Sequence, residues 1–146
     1  DALWSLDSEE GMEKAFCCLY STTRDYARLG QLILNNGTWG GDTIISSAML
    51  TEITTNYELD GNKQNHRYGL HYWILNDPAH KIIYARGIKG QYIISIPDLD
   101  VVIVRTGHKR LDKAGEENIK AGEDYMIDHP MDLFLYLEIA KELLEQ

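Results

Sequence analysis

The stretch YARGIKGQYIISIPDLDVVIVRTG, residues 84–107, decides the fold. Two apolar runs, Gln91 to Ile96 and Val101 to Thr106, flank Pro97-Asp98-Leu99-Asp100, a proline-led turn. At the mouth of the first run sits a Gly-x-x-Gly-Gln unit made of Gly87, Gly90 and Gln91. Glycine lets the backbone come close to a ligand, so this mouth is a candidate active-site edge.

Upstream, Lys81 to Arg86 reads as another strand, preceded by the turn Asn76-Asp77-Pro78. Before that, Tyr68 to Leu75 alternates, with Tyr68, Leu70, Tyr72 and Ile74 on one face. Gly69, His71, Trp73 and Leu75 fall on the other. Four strands with such short connections predict an antiparallel meander. Residues 56–66 read as a polar loop.

Helices are expected on either side of the strands. Thr22 can cap a helix, with Asp25 as the acidic half of a capping box. Tyr26, Ala27, Leu29, Leu32, Ile33 and Leu34 give it helical spacing, and Asn36-Gly37 ends it. The segment TWGGD, 38–42, reads as a turn, and Ser46 as the cap of a shorter helix reaching about Thr55. Residues 1–14 are polar and irregular, and an apolar run follows from Ala15 to Tyr20. Residues 108–129 are polar and acidic, which predicts a surface connection with one helical turn. Pro130 suits a first helical position, and MDLFLYLEIAKELLEQ forms the last helix. Its wide apolar band, Leu133 to Leu144, should pack on the meander. The sum is an α+β fold, an antiparallel sheet covered by helices.

A chain of 146 residues suits one domain with a real core. With 14 basic and 23 acidic side chains its net charge is -9. That argues against a nucleic-acid or anionic-membrane surface. It does not constrain small-molecule pockets, which can oppose the global charge. No apolar run approaches the roughly 20 residues that span a bilayer, and no signal peptide is visible. The chain begins with Asp1, as a processed product or a piece of a longer protein would. The two cysteines, Cys17 and Cys18, are adjacent; strain in such a pair predicts two unpaired, buried side chains.

Catalytic signatures are largely missing. The sequence has no Gly-x-Ser-x-Gly elbow, phosphate-binding glycine loop or His-Glu-x-x-His. Nor has it a Ser-x-x-Lys: the residues three after Ser5, Ser8, Ser21, Ser46, Ser47 and Ser95 are Ser, Gly, Arg, Met, Leu and Asp. His66, His71, His80, His108 and His129 read as structural or surface residues, and His66 and His71 fall on opposite faces. His71, sharing a face with Trp73, has the best claim to a pocket. No spacing suggests a metal site or calls for a cofactor. The acidic stretch 112–128 reads as a solvated face rather than a source of paired catalytic carboxylates.

The ordered set of motifs resembles the serine β-lactamase-related hydrolases. That group comprises class C β-lactamases, penicillin-binding proteins, family VIII esterases and 6-aminohexanoate-dimer hydrolases. The helix pattern T-x-x-D-x-A-R-x-G is met by Thr22, Asp25, Ala27, Arg28 and Gly30, and the G-x-W-x-G turn by Gly37, Trp39 and Gly41. Ile44 to Ser46, YGLHYWI and the 84–107 stretch follow in the family's order. The likeness covers roughly residues 11–107 and is similar above all to the aminohexanoate-dimer hydrolase and esterase branch.

The resemblance implies that residues 1–146 are the C-terminal segment of a bacterial hydrolase domain of the β-lactamase/transpeptidase-like fold. In the family a Ser-x-x-Lys serine attacks a carbonyl, and a lysine and a Tyr-x-Asn tyrosine handle the proton. Those motifs lie N-terminal to the matched region, and this chain has no Tyr-x-Asn. The family's third motif, Lys-Thr-Gly in lactamases, aligns on Ala85, Arg86 and Gly87. The residue after the glycine, here Ile88, gives one backbone N–H of the oxyanion hole. Ala85 replaces the lysine that meets a substrate carboxylate, which favours ester or amide substrates over β-lactams. Arg86 or Lys89 is expected to restore a positive charge, with a solvent-exposed loop lysine as the other reading of Lys89. Trp73 and Tyr72 read as pocket walls or as core aromatics, and Gln91 as a support of the turn or a plain strand residue. Tyr20 lies near the pocket in relatives.

The implied partners are a small-molecule ester or amide and the missing N-terminal part of the same protein. The compartment stays open between periplasm or secretion and cytoplasm. One alternative is a non-catalytic binding domain with this fold; another is a self-contained α+β domain. A fragment is expected to expose an apolar sheet face.

Overall fold

The computed structural model describes residues 2–56 and 67–145. In chain order come strand β1 (Ala2–Trp4), strand β2 (Leu19–Ser21), helix α1 (Thr23–Leu34), strands β3 (Thr38–Trp39) and β4 (Asp42–Thr43), and helix α2 (Ser47–Ile53). Strands β5 (Trp73–Asn76), β6 (Lys81–Gly87), β7 (Gln91–Ile96) and β8 (Val101–Arg105) follow, then helix α3 (Met131–Leu144). The last four strands form an antiparallel sheet in sequence order, β5-β6-β7-β8. The fold is therefore α+β, with the expected meander.

Register and side-chain alternation sort this sheet into two faces. Tyr84 lies opposite Trp73 and Ile94, and Ile94 opposite Ile103. With Leu75, Ile82, Tyr92 and Ile96, these residues build the larger core against Leu133 and Leu137 of α3. The opposite face offers Ile83 to Ile33 of α1 and Leu50 of α2, with Tyr72 packed alongside. The result is three layers, α1 and α2, sheet, then α3. Both sheet faces are covered, so the expected exposed sheet face does not form. Exposed apolar side chains lie elsewhere, at Phe16 near the N-terminal strands and at Leu135, Ile139 and Leu143 on the outer side of α3.

The helix signals act as read. Thr22 Oγ1 accepts from the Asp25 N–H at 3.1 Å, and Ser46 Oγ accepts from the Met49 N–H at 3.2 Å. Gly37 stands at φ 83°, the left-handed conformation expected after α1. The turn at 38–42 is part of a small hairpin, in which Thr38 pairs with Thr43 and Trp39 with Asp42.

Four local expectations are corrected. The strand read from Tyr68 starts only at Trp73: Gly69 N–H donates to Tyr72 O at 2.9 Å, and the chain reverses with His71 at φ 68°. The face that was to carry His71 beside Trp73 does not form, and His71 is exposed. Cys17 and Cys18 are half-buried and joined in a disulfide, where the backbone bends with Cys18 at φ 73°. Segment 108–129 is not all surface: Ala114 is buried and its N–H donates to the carbonyl of buried His129 at 2.8 Å. Pro130 precedes the first turn of α3 rather than opening it. The 57–66 part of the polar loop, His66 included, lies outside the described residues.

Gly30 is the closest approach of α1 to the sheet. A Cβ there would sit 2.5 Å from Val102 Cγ1 and 3.2 Å from Ile93 Cγ2. Gly30→Val should therefore lower unfolding stability by about 1–3 kcal/mol through overpacking, measured by urea denaturation. An unchanged midpoint would show that α1 does not pack this tightly.

Candidate active-site edge

Strand β6 closes on Gly87, paired with Gln91 across a short turn, Ile88–Gly90. Lys89 takes φ 58° and ψ 19°, and Gly90 takes φ 80°. A side chain in the left-handed region costs about 1–2 kcal/mol, so Lys89 is held there by its surroundings. Gly90 suits its left-handed φ, and a Cβ there would lie 2.9 Å from the backbone carbonyl oxygen of Lys109 and displace the Arg105 guanidinium. The turn presents Ile88 to solvent, 79% exposed. No described residue accepts a hydrogen bond from its N–H.

A buried polar knot holds the turn from behind. Asp132, in the first turn of α3, is 4% exposed and accepts from the Tyr92 hydroxyl at 3.0 Å. The Arg105 guanidinium lies 4.0 Å from the same carboxylate. Arg105 also donates to the carbonyl of Gly90 and, at 2.8 Å, to that of Lys109. Gln91 fixes the neighbouring strand end, donating to Gly107 O and accepting from Gly107 N–H at 3.0 Å. Its amide is thus engaged with Gly107, just beyond the end of β8, rather than with the Gly87–Gly90 turn.

The other candidate residues divide between the faces. Ala85 and Gly87 follow Ile83 on the α1 side. Arg86 lies on the α3 side, its guanidinium carbon 3.3 Å from the Trp73 ring centroid, and donates to Asp128 O at 3.3 Å. Burial lowers its pKa below the ordinary value, so the stacked Trp73 face helps to hold the charge. Trp73 and Tyr72 are adjacent in sequence and point apart; Tyr72 packs by Ile33, Leu50 and Ile83, and burial raises its phenol pKa. The structure therefore joins Ala85, Gly87, Ile88 and Lys89 along one edge, and Arg86 with Trp73 on the other face. Tyr20 is exposed on β2.

Sequence reading did not single out the His129–Tyr84 pair. Tyr84 Oη lies 2.7 Å from His129 Nδ1, and both residues are fully buried. His129 Nε2 has no hydrogen-bond partner among the described residues. Burial, then the charges of Arg86 and Arg67, push the imidazole pKa down to about 3, so His129 is neutral. Nothing in residue spacing points to this pair, because the two are brought together only when α3 docks. His80 is committed to Asp98, tying the 76–80 turn to the 97–100 turn. Among the described residues no group of three or more His, Cys, Asp or Glu side chains could hold a metal ion, and no helix is long and apolar enough to cross a membrane.

No protein-family model matches the chain, and no curated protein matches it. Eleven chains of solved structures do. One is named "Putative 6-aminohexanoate-dimer hydrolase from Bacillus anthracis", with 26% identity and a TM-score of 0.70. The likeness covers 99% of this chain and 34% of that one, so this chain spans about a third of the length of the protein it matches.

His129 gives a pH dependence. Its folded pKa of about 3 lies below the reference 6.5, so as pH falls the unfolded chain takes up the proton first. Its contribution to stability is complete above 6.5 and is lost as pH falls toward about 3. His129→Gln should flatten the fall in urea midpoint between about pH 7 and about pH 4. An equally steep fall in the variant would remove His129 as the cause.

Proposed function

We propose that residues 1–146 are the C-terminal segment of a serine hydrolase that cleaves an ester or amide through an acyl-enzyme. In this reading β6 is the strand along which the substrate carbonyl lies. The Ile88 N–H is one of the two donors to its oxygen. The observation that carries the reading is the likeness, over 99% of the chain, to part of a protein named as a hydrolase. The N–H of Ile88, a solvent-exposed residue directly after Gly87, has no acceptor among the described residues and supports it.

The chemistry divides between this chain and the part of the protein that would precede it. A serine Oγ adds to the carbonyl carbon, its proton passes to a base, and negative charge gathers on the carbonyl oxygen. A fixed N–H aimed at that oxygen stabilises the transition state more than the ground state. Collapse expels the alcohol or amine, which takes the proton, and water then releases the acyl group. Ala85 leaves no cation at the lactamase lysine position, which supports ester or amide over β-lactam substrates. Gln91 and Arg105 act as positioning residues, through Gly107 and Gly90. With no Ser-x-x-Lys of its own, the chain alone is inactive in this reading. That same lack favours a second reading, a ligand-binding domain that keeps the fold without a nucleophile.

A serine-directed fluorophosphonate probe tests the assignment. The isolated chain should stay unlabelled, and the full-length protein should be labelled on a serine outside these residues. Labelling within this chain would overturn the division of labour, and an unlabelled full-length protein would favour the binding domain. In a labelled, active full-length protein, Ile88→Pro removes the N–H at a position where a 3-10 turn tolerates proline. It should lower kcat about 100- to 1000-fold with KM little changed.

A further inference from the structure

The backbone that carries Lys89 also walls a cleft of about 480 Å³. Its lining includes Lys89, His108, Lys109, Arg110, Asp112 and Lys113. The charge here runs against the rest of the chain. Acidic residues outnumber basic ones 23 to 14 overall, yet four of the cations meet at this cleft with one carboxylate among them. Lys113 has a partner, its ammonium lying 3.9 Å from Asp128. Among the described residues Lys89, Lys109 and Arg110 have no carboxylate within ion-pairing distance.

The walls are fixed. Arg105 clamps the carbonyls of Gly90 and Lys109 and so holds the 88–90 turn against the 108–110 segment. The far wall is tied to the start of α3: Met131 N–H donates to Asp112 O at 2.9 Å, and Ala114 N–H to His129 O at 2.8 Å. Like charges on fixed backbone repel one another, and a bound anion relieves that repulsion. The four cations outnumber Asp112 and leave the cleft locally positive, and Lys and Arg donors make charge-assisted hydrogen bonds to carboxylate or phosphate oxygens. A volume of this order suits a small molecule rather than a polymer, and the acidic remainder of the surface would repel nucleic acid.

We propose that this cleft binds the carboxylate or phosphate group of a small molecule, with Lys89, Lys109 and Arg110 as its cationic ligands. The site stands independently of the hydrolase reading, since it requires no nucleophile. The test is an NMR titration of the full chain with inorganic phosphate and, separately, acetate, at constant ionic strength set with chloride. Saturable amide shifts confined to residues 88–90 and 107–113 support the proposal, and the anion that saturates first identifies the source. Shifts that do not saturate, or that spread over all basic residues, overturn it. Lys109→Gln with Arg110→Gln should weaken the saturating anion about tenfold or more, while Arg24→Gln on α1 leaves it unchanged. Equal weakening in both variants would mean general charge screening and would also overturn the proposal.

Discussion

The arrangement turns on one buried carboxylate. Asp132 is 4% exposed, and a carboxylate without partners in such a place would cost several kcal/mol. It is held by the Tyr92 hydroxyl, by Arg105 at 4.0 Å and by its position in the first turn of α3, where the helix dipole favours negative charge. These contacts join two neighbouring strands to a helix distant in sequence. Tyr92 belongs to β7, Arg105 to the end of β8, and Asp132 to the closing helix. Arg105 donates its hydrogen bonds to backbone carbonyls, those of Gly90 and Lys109 among them. The carboxylate that seats α3 on the sheet therefore also fixes the turn carrying Ile88 and one wall of the basic cleft. Core packing and site geometry are not separable here.

The four-stranded sheet was legible because its strands are bounded by strong punctuation. Pro97 to Asp100 and Gly87 to Gly90 mark reversals that local sequence alone can dictate. The helix caps at Thr22 and Ser46 were legible for the same reason, since a cap is a contact within three residues. The segment before β5 was not. Tyr68 to Leu75 alternates well enough to read as one strand, yet His71 adopts a left-handed conformation and the chain folds back on itself. Alternation records which side chains suit a pleated surface, not whether the backbone stays extended to offer one. The cysteine pair failed for a similar reason. The expectation rested on the mean behaviour of adjacent residues, whereas a bend with positive φ at Cys18 changes the geometry locally.

The candidate edge was half legible. Gly87, Gly90 and Gln91 stand out as a motif, and the structure gives each a distinct mechanical part. What the motif could not convey is which face each side chain takes. The motif offers Arg86 as a cation for the edge, but one-residue alternation sends it under Trp73 on the α3 side. Trp73 and Tyr72 are parted by the same rule. The His129–Tyr84 pair and the Asp132 knot were beyond reach, because they are contacts over 45 and 40 residues made only when α3 docks.

Charge was the most misleading global quantity and the most useful local one. A net charge of -9 says that the surface as a whole repels anions. Screening confines that repulsion to about 8–10 Å at physiological ionic strength. The cleft's own lining sets Lys89, Lys109, Arg110 and Lys113 against Asp112, with Asp128 beside Lys113. The residues from His108 to Lys113 read in sequence as the start of a polar, acidic connection. They line one cleft with Lys89, and Arg105 ties their backbone to the 88–90 turn through the carbonyls of Lys109 and Gly90. A positive pocket in an acidic chain thus needs no unusual composition, only a guanidinium that gathers the right carbonyls.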